Sequence, residues 1–279
     1  MSSRRLQVAW LMLLAACGHP VVDRPRMSAG FEMRDVVFHS SALGRDMTYR
    51  VYVPRDLKAG EALPVVYLLH GAGGNFRDWS NYSDVAAFCD RDRWILVMPE
   101  GEYSYYANAV ARPRDRFEDY VVEDLASDVE SRFHTARRRA IIGFSMGGFG
   151  AISLALRHPG RFVFAGGLSP AVDVPRRKFS VRRASQWRDH AAIFGPQDGA
   201  ERRANDPFVL VRSGDPGKAA FLYLWCAEQE GLAEPIREFD VALKSRGFAH
   251  EFHTARGGHD WGSWNHALPD GIRSLRGRL

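Results

Sequence analysis

Short continuous runs of apolar residues alternate along most of the chain with segments whose apolar residues recur at helical spacing. The longest helical pattern covers residues 117–133, and another helix is predicted to begin near Pro235. The apolar runs have the length of strands buried on both faces, and they lie at residues 65–69, 94–98, 140–143, 162–168 and 220–225; residues 250–253 are predicted to form a short final strand. This alternation predicts an α/β fold around a mostly parallel central sheet with helices on both faces.

Two further strand-like runs precede this alternation, at residues 36–38 and 47–53. Gly44-Arg45-Asp46 between them is typical of a turn, and Pro54 ends the second run. They predict an N-terminal antiparallel hairpin. We therefore expect one α/β domain over residues 31–279, which a chain of 279 residues with 46% hydrophobic content can fill with one core.

The first 17 residues have the pattern of a secretory signal, with arginines near the start and an apolar stretch after them. They end in Leu14-Ala15-Ala16-Cys17, which matches the bacterial lipoprotein lipobox and predicts lipidation of Cys17. The alternative is an ordinary cleaved signal with a chance cysteine. Residues 18–30 are polar and contain proline, which predicts a flexible tether. We expect an exported protein anchored by lipid at the bacterial cell envelope, and Gly18 after the cysteine favours the outer membrane.

The net charge of +5 comes almost wholly from arginine. No basic run is interleaved with aromatic residues as in a nucleic-acid module, so we predict no nucleic-acid partner. Three cysteines are too few for a disulfide framework. Histidines and carboxylates show no metal-ligand spacing, and neither a metal nor a cofactor is predicted.

The apolar run at 140–143 leads into Gly143-Phe144-Ser145-Met146-Gly147, followed by a small-residue helix pattern. This is the G-x-S-x-G pattern of a nucleophile elbow, in which a sharp strand-to-helix turn exposes the serine. Gly143 and Gly147 supply the lack of bulk that such a turn needs. The alternative is a Gly-rich turn with an incidental serine, so the rest of the chain must supply a base, an acid and an oxyanion hole.

The run at 65–69 leads directly into His70-Gly71-Ala72-Gly73-Gly74. In α/β-hydrolases a loop after an early central strand carries one oxyanion N–H, and the residue after the nucleophile carries the other. By position we expect the backbone N–H groups of Ala72 and Met146 to form the oxyanion hole. His70, at a strand end before glycines, is expected to be structural.

A late histidine and an acid after the preceding strand complete the α/β-hydrolase order. His259 follows two glycines, whereas the alternatives lie in a strand pattern (His253) and inside a helix (His266). The acid is Glu230 or Glu228. Glu230 is preferred because Gly231 after it permits a turn that aims the carboxylate inward.

The loop at residues 101–108 is aromatic and polar, and it follows a strand at the sheet edge where open α/β sheets bind ligands. Tyr105, Tyr106 and Asn108 are therefore candidates for the substrate pocket, as is Trp261 in the Trp-rich stretch after His259. The alternative for the loop is packing as an ordinary surface segment.

The chain resembles the esterase D-like and antigen 85-like family of α/β-hydrolases. The resemblance covers roughly residues 32–270 and rests on three motifs: Leu68-Leu69-His70-Gly71 with Gly73-Gly74, Gly143-Phe144-Ser145-Met146-Gly147-Gly148, and Gly258-His259-Asp260-Trp261 with Trp264. Many members have Cys-Gly-x-x-Asp where this chain has Cys226-Ala227-Glu228-Gln229-Glu230, which puts Glu230 in the place of the aspartate.

This resemblance implies a serine carboxylesterase that works through an acyl-enzyme, with Ser145 as nucleophile and His259 as base. Export and the aromatic loop favour an acylated or feruloylated carbohydrate as substrate, and another small-molecule ester is the alternative. An acyltransferase of the antigen 85 type, or a non-catalytic binding module on the same fold, are the competing functions.

Overall fold

The structure is a computed structural model that describes residues 22–58, 60–181 and 184–279. Its centre is an eight-stranded sheet with the order β1-β2-β4-β3-β5-β6-β7-β8. The strands are β1 (Phe31–Ser40), β2 (Arg45–Pro54), β3 (Leu63–Leu69), β4 (Ile95–Pro99), β5 (Thr135–Phe144), β6 (Phe164–Leu168), β7 (Phe221–Ala227) and β8 (His250–Ala255).

The strands β4, β3, β5, β6, β7 and β8 are parallel, and each of them except the edge strand β8 overlaps one of the apolar runs. Along β3, successive side chains alternate between two cores: Val65, Tyr67 and Leu69 face one, and Val66 and Leu68 face the other. Both faces are therefore covered, which explains why these strands have continuous apolar sequences. The predicted α/β fold is confirmed.

The N-terminal hairpin is also present, since β1 and β2 pair antiparallel from Phe31↔Pro54 to Ser40↔Arg45. β2 in turn pairs antiparallel with β4 and so joins the hairpin to the parallel part of the sheet.

The helices divide between the two faces of the sheet. Those that contribute to the core around Val65 include α3 (Phe117–Asp119), α4 (Ala126–Arg132), α5 (Met146–Arg157), α6 (Ala184–Phe194), α8 (Pro207–Ser213) and α9 (Ala233–Arg246), and the short α7 (Ala200–Ala204) lies beside α8. Those on the other face are α1 (Asp78–Tyr82), α2 (Val85–Phe88) and α10 (Trp261–Arg276). In the described part of the chain, no helix is both long enough and apolar enough to cross a membrane.

The helix predicted at residues 117–133 is not a regular α-helix. A π-helical segment, Tyr120–Leu125, separates α3 from α4. The apolar side chains still face the core, because Phe117, Tyr120, Leu125 and Val129 are all buried there.

The segment before the sheet differs from the prediction. Residues 22–30 were expected to belong to a flexible tether, yet Asp23, Arg24, Arg26 and Gly30 all form hydrogen bonds with the domain. We call residues 23–30 the N-terminal strap. It runs along α1 and α2, where side chains and backbone groups of the domain satisfy its polar groups. The predicted signal at residues 1–17, Cys17 included, lies outside the described residues.

Candidate active site

The turn between β5 and α5 holds Ser145 in a backbone conformation that few residues other than glycine adopt, with φ 54° and ψ −116°. Its N–H donates to the Leu168 carbonyl at 2.9 Å, and its own carbonyl accepts from Ala171 at 3.2 Å, so β6 fixes the turn. A Cβ on Gly147 would stand 2.3 Å from the Leu69 carbonyl oxygen, and one on Gly143 would stand 2.2 Å from the backbone of Gly147. Both glycines are therefore required by close backbone approach.

Ser145, His259 and Glu230 form a continuous hydrogen-bonded chain. His259 Nε2 lies 2.8 Å from Ser145 Oγ, and His259 Nδ1 lies 2.8 Å from Glu230 Oε2. A carboxylate can only accept, so Nδ1 carries the proton and Nε2 accepts from the serine hydroxyl. The Glu230 side chain is 1% exposed and that of His259 is 38% exposed, which buries the acid and leaves the imidazole open to a substrate.

The loops that carry His259 and Glu230 are held by side chains that sequence reasoning did not single out. Gln229 Oε1 accepts from the Gly257 N–H at 2.8 Å and ties the two loops together. Ser263 Oγ accepts from the Gly258 N–H at 3.0 Å. The Ser263 N–H in turn donates to Asp260, which caps α10. An aspartate directly before the helix was a readable signal for this cap. No sequence signal pointed to the role of Gln229.

Behind the histidine, Trp264 meets the His259 ring edge-on, with 5.1 Å between ring centroids. Its indole N–H donates to Ser169 Oγ at 3.0 Å, and Ser169 itself has a positive φ of 49°. Since Trp264 is buried and tied in this way, it limits where the imidazole can lie. No sequence signal pointed to Ser169.

The rival residues are not part of this chain. Glu228 is exposed, and its backbone N–H pairs with the Ala255 carbonyl. His253 pairs with Glu251, and His266 is exposed on α10. The reason given for preferring Glu230 was wrong, however. Gly231 has no positive φ, and no described atom lies within 4 Å of where its Cβ would stand, so the inward aim of the carboxylate does not depend on a glycine.

The end of β3 approaches the start of α5, since a Cβ on Gly147 would stand 2.6 Å from the His70 carbonyl oxygen; Ala72 follows in the loop after β3, and Met146 is the first helical residue of α5. Neither the Ala72 N–H nor the Met146 N–H donates to any group within the described ranges. His70 is buried beneath this loop. Its Nδ1–H donates to the Gly71 carbonyl at 2.8 Å, and its Nε2 accepts from the Gly101 N–H at 2.9 Å. The His70 imidazole therefore supports the loop.

A cleft of about 540 Å³ opens beside the loop and Phe144, the residue before the serine. Its walls combine aromatic rings with polar side chains, including Asn75, Arg77, Asp78, Asn81, Tyr82 and Trp261. The Trp261 ring lies 4.5 Å from that of Phe144 and 5.9 Å from that of Tyr82, measured between centroids. Burial raises the pKa of the Asp78 carboxyl above its ordinary value, and the Glu100 carboxylate nearby adds to the rise.

Of the predicted pocket residues, Trp261 lines this cleft and the others do not. Tyr105 and Tyr106 both have positive φ, which turns the loop back into the core. Tyr106 is 1% exposed and donates to the His70 carbonyl, while Tyr105 packs among Phe149, His190 and Phe194. Asn108 pairs with Asp119. The aromatic rings of Tyr105 and Tyr106 therefore pack in the core, and this loop does not line the cleft.

The described residues contain no group of three or more histidine, cysteine, aspartate or glutamate side chains that could hold a metal ion. The polar groups that converge on Ser145 are suited to acyl transfer: a hydroxyl, an imidazole oriented by a carboxylate, and free backbone N–H groups.

Comparison with known proteins finds similarity to several esterases and to a related hydrolase. An acetyl esterase of Caldicellulosiruptor saccharolyticus is 26% identical over 246 residues, which covers 82% of this chain and 92% of that protein. An S-formylglutathione hydrolase of Agrobacterium tumefaciens superposes with a TM-score of 0.80 at 21% identity, covering 92% of this chain and 98% of the other. A ferulic acid esterase superposes with a TM-score of 0.74 at 21% identity, covering 87% and 96%.

The profile of the family described as "Putative esterase" matches residues 40–275, most of the chain. The fold, the relatives and this match agree: the chain belongs to that esterase family of the α/β-hydrolase fold, and it is a serine hydrolase that acts on carboxylic esters.

Proposed function

We propose that Ser145, His259 and Glu230 form the catalytic triad of this esterase. The observation that carries the proposal is the continuous chain of two 2.8 Å contacts from the Ser145 hydroxyl to the buried Glu230 carboxylate. In the first step Ser145 Oγ attacks the ester carbonyl carbon while His259 Nε2 accepts the hydroxyl proton. Glu230 stabilises the imidazolium that forms and keeps its ring in position.

The tetrahedral intermediate carries its negative charge on the former carbonyl oxygen. The N–H groups of Ala72 and Met146 are the proposed donors to that oxygen, and the N-terminus of α5 adds its favourable dipole. When the intermediate collapses, His259 gives its proton to the leaving alkoxide and the alcohol departs. A water molecule then attacks the acyl carbon and loses a proton to His259. As the second tetrahedral intermediate collapses, the bond to Ser145 Oγ breaks, His259 returns that proton to Ser145 Oγ, and the acid product leaves.

For the substrate we propose an acylated or feruloylated carbohydrate. Aromatic rings and planar polar side chains share the walls of the cleft, so it offers an apolar face together with groups that hydrogen-bond hydroxyls. The similarity to an acetyl esterase and to a ferulic acid esterase supports the same class. The exposed imidazole favours hydrolysis over transfer to a second alcohol, because water reaches the site.

The test is turnover of p-nitrophenyl acetate, p-nitrophenyl octanoate, an acetylated xylo-oligosaccharide and methyl ferulate by the wild type and by Ser145→Ala. We expect turnover that the serine substitution abolishes, and faster release of acid from one of the carbohydrate-type esters than from p-nitrophenyl octanoate. A folded protein that hydrolyses none of these esters and does not react with a fluorophosphonate would refute the triad.

We also propose that the chain is exported and lipid-anchored through Cys17. The lipobox at residues 14–17 is the support for this step. Fatty-acid labelling of cells should mark the wild type and leave Cys17→Ala unmarked. Export of an unlabelled wild type would favour the ordinary cleaved signal instead.

A further inference from the structure

The helix α1 has only five residues, Asp78–Tyr82, too few to be stable without tertiary contacts. One side of it forms a wall of the cleft, through Asp78, Asn81 and Tyr82. The position of that wall therefore depends on what holds α1 from behind.

The N-terminal strap supplies much of that support. The Arg26 N–H donates to the Ser80 carbonyl at 2.7 Å, and the Arg24 N–H donates to Asn81 Oδ1 at 3.1 Å. Both acceptors belong to α1, and the Ser80 carbonyl lies near its C-terminal end, where helix carbonyls lack partners within the helix.

A buried ion cluster fixes the start of the strap. The Arg50 side chain is 1% exposed, and a buried guanidinium requires carboxylate partners. It donates bidentately to Asp35 and bidentately to Asp23, with distances of 2.7–2.9 Å. Its Nη1 also donates to Ser80 Oγ at 2.8 Å, which joins the cluster directly to α1.

We propose that Asp23 is a positioning residue for the catalytic cleft: through Arg50 and the strap it holds α1, and with it the adjoining loop that carries Ala72. This inference rests on the proposed function, because the loop matters only if Ala72 contributes to the oxyanion hole. Only three residues separate Gly74 from Asp78, so a displacement of α1 is passed to the loop. Catalytic donors lose much of their effect when displaced by about 1 Å.

Asp35 provides a matched control. It also accepts two hydrogen bonds from Arg50, through Nε and Nη2, and has a similar exposure, 35% against 31% for Asp23, which in addition lies 3.7 Å from Arg77 Nε. It lies on β1, however, and has no hydrogen bond with α1 among the described residues. Asp23→Asn and Asp35→Asn each remove one carboxylate from Arg50, and only the former loosens the strap.

The experiment compares the two variants in the full chain, purified in detergent. We expect similar losses of melting temperature. Asp23→Asn should lower kcat for p-nitrophenyl acetate about tenfold, whereas Asp35→Asn should stay within twofold of the wild type, and Asp23→Glu should recover part of the loss. Hydrogen exchange of residues 72–84 should become faster in Asp23→Asn alone.

Equal changes in kcat for Asp23→Asn and Asp35→Asn would overturn the proposal, as would faster exchange in Asp23→Asn with unchanged kcat. If the wild type hydrolysed no ester, the proposed function would fail, and the exchange measurement would still decide whether the strap holds the wall.

Discussion

The identity of the triad acid leads to the sharpest prediction. Glu230→Gln replaces the carboxylate by a neutral group of nearly the same shape, so the geometry around His259 can survive while the charge is lost. The second carboxylate oxygen, Oε1, is buried and has no hydrogen-bond partner among the described residues. A glutamine can therefore keep its carbonyl oxygen toward Nδ1–H and place its amide at the Oε1 position.

What the variant loses is the attraction between the carboxylate and the imidazolium that forms in the transition state. With the 2.8 Å contact between Nδ1 and Oε2, the two charge centres lie about 4 Å apart. At an effective dielectric constant of about 20, this attraction is about 4 kcal/mol. Since about 1.4 kcal/mol corresponds to a tenfold change in rate, kcat should fall about 1000-fold.

Glu228→Gln is the control, because Glu228 is exposed and belongs to the same loop. The assay is steady-state hydrolysis of p-nitrophenyl acetate, together with thermal unfolding to confirm that both variants are folded. Glu228→Gln should retain wild-type kcat. A loss below tenfold in Glu230→Gln, or an equal loss in the two variants, would show that Glu230 does not act as the triad acid.

Three further outcomes follow from the packing and the charges. Gly147→Ala should lower the free energy of unfolding by about 1–3 kcal/mol in urea titrations, because its Cβ meets the Leu69 carbonyl, whereas Gly231→Ala, with open space around it, should leave stability unchanged. Trp261→Ala should raise KM for bulky aromatic esters about tenfold and change that for p-nitrophenyl acetate little, since it removes one ring from the cleft. Burial and nearby arginines lower the pKa of His190 to about 4, so on acidification this histidine is protonated in the unfolded chain before it is protonated in the folded protein. The melting temperature should therefore fall as the pH drops from about 6.5 toward 4, and it should fall less steeply in His190→Gln.

The sequence predicted the parts of the molecule that depend on local rules. Buried parallel strands must be apolar on both sides, so the positions of these strands along the chain could be read directly. The elbow was equally readable, because a close approach of backbone leaves glycine as the only residue that fits at Gly143 and Gly147. His259 followed from its place after the last strand.

What could not be predicted depends on contacts between distant segments. Tyr105 and Tyr106 have the composition of a binding loop, and only the backbone conformation decides that their rings point into the core. The strap was polar and lacked periodicity, which is equally typical of a tether. Its attachment depends on Arg50, a charged residue buried within β2, and no local pattern indicates which carboxylates it will meet.

The attachment of the strap also limits the distance between Cys17 and the folded domain. Cys17 stands six positions before Asp23, and an extended chain spans at most about 3.6 Å per residue, so the two lie within about 22 Å of each other. In the lipidated protein proposed above, this short segment connects the lipid anchor to the N-terminal strap, which contacts α1 at the wall of the cleft. The enzyme could then sample only a thin layer above the bilayer, and esters within that layer would be met at a high effective concentration while those farther away would be out of reach.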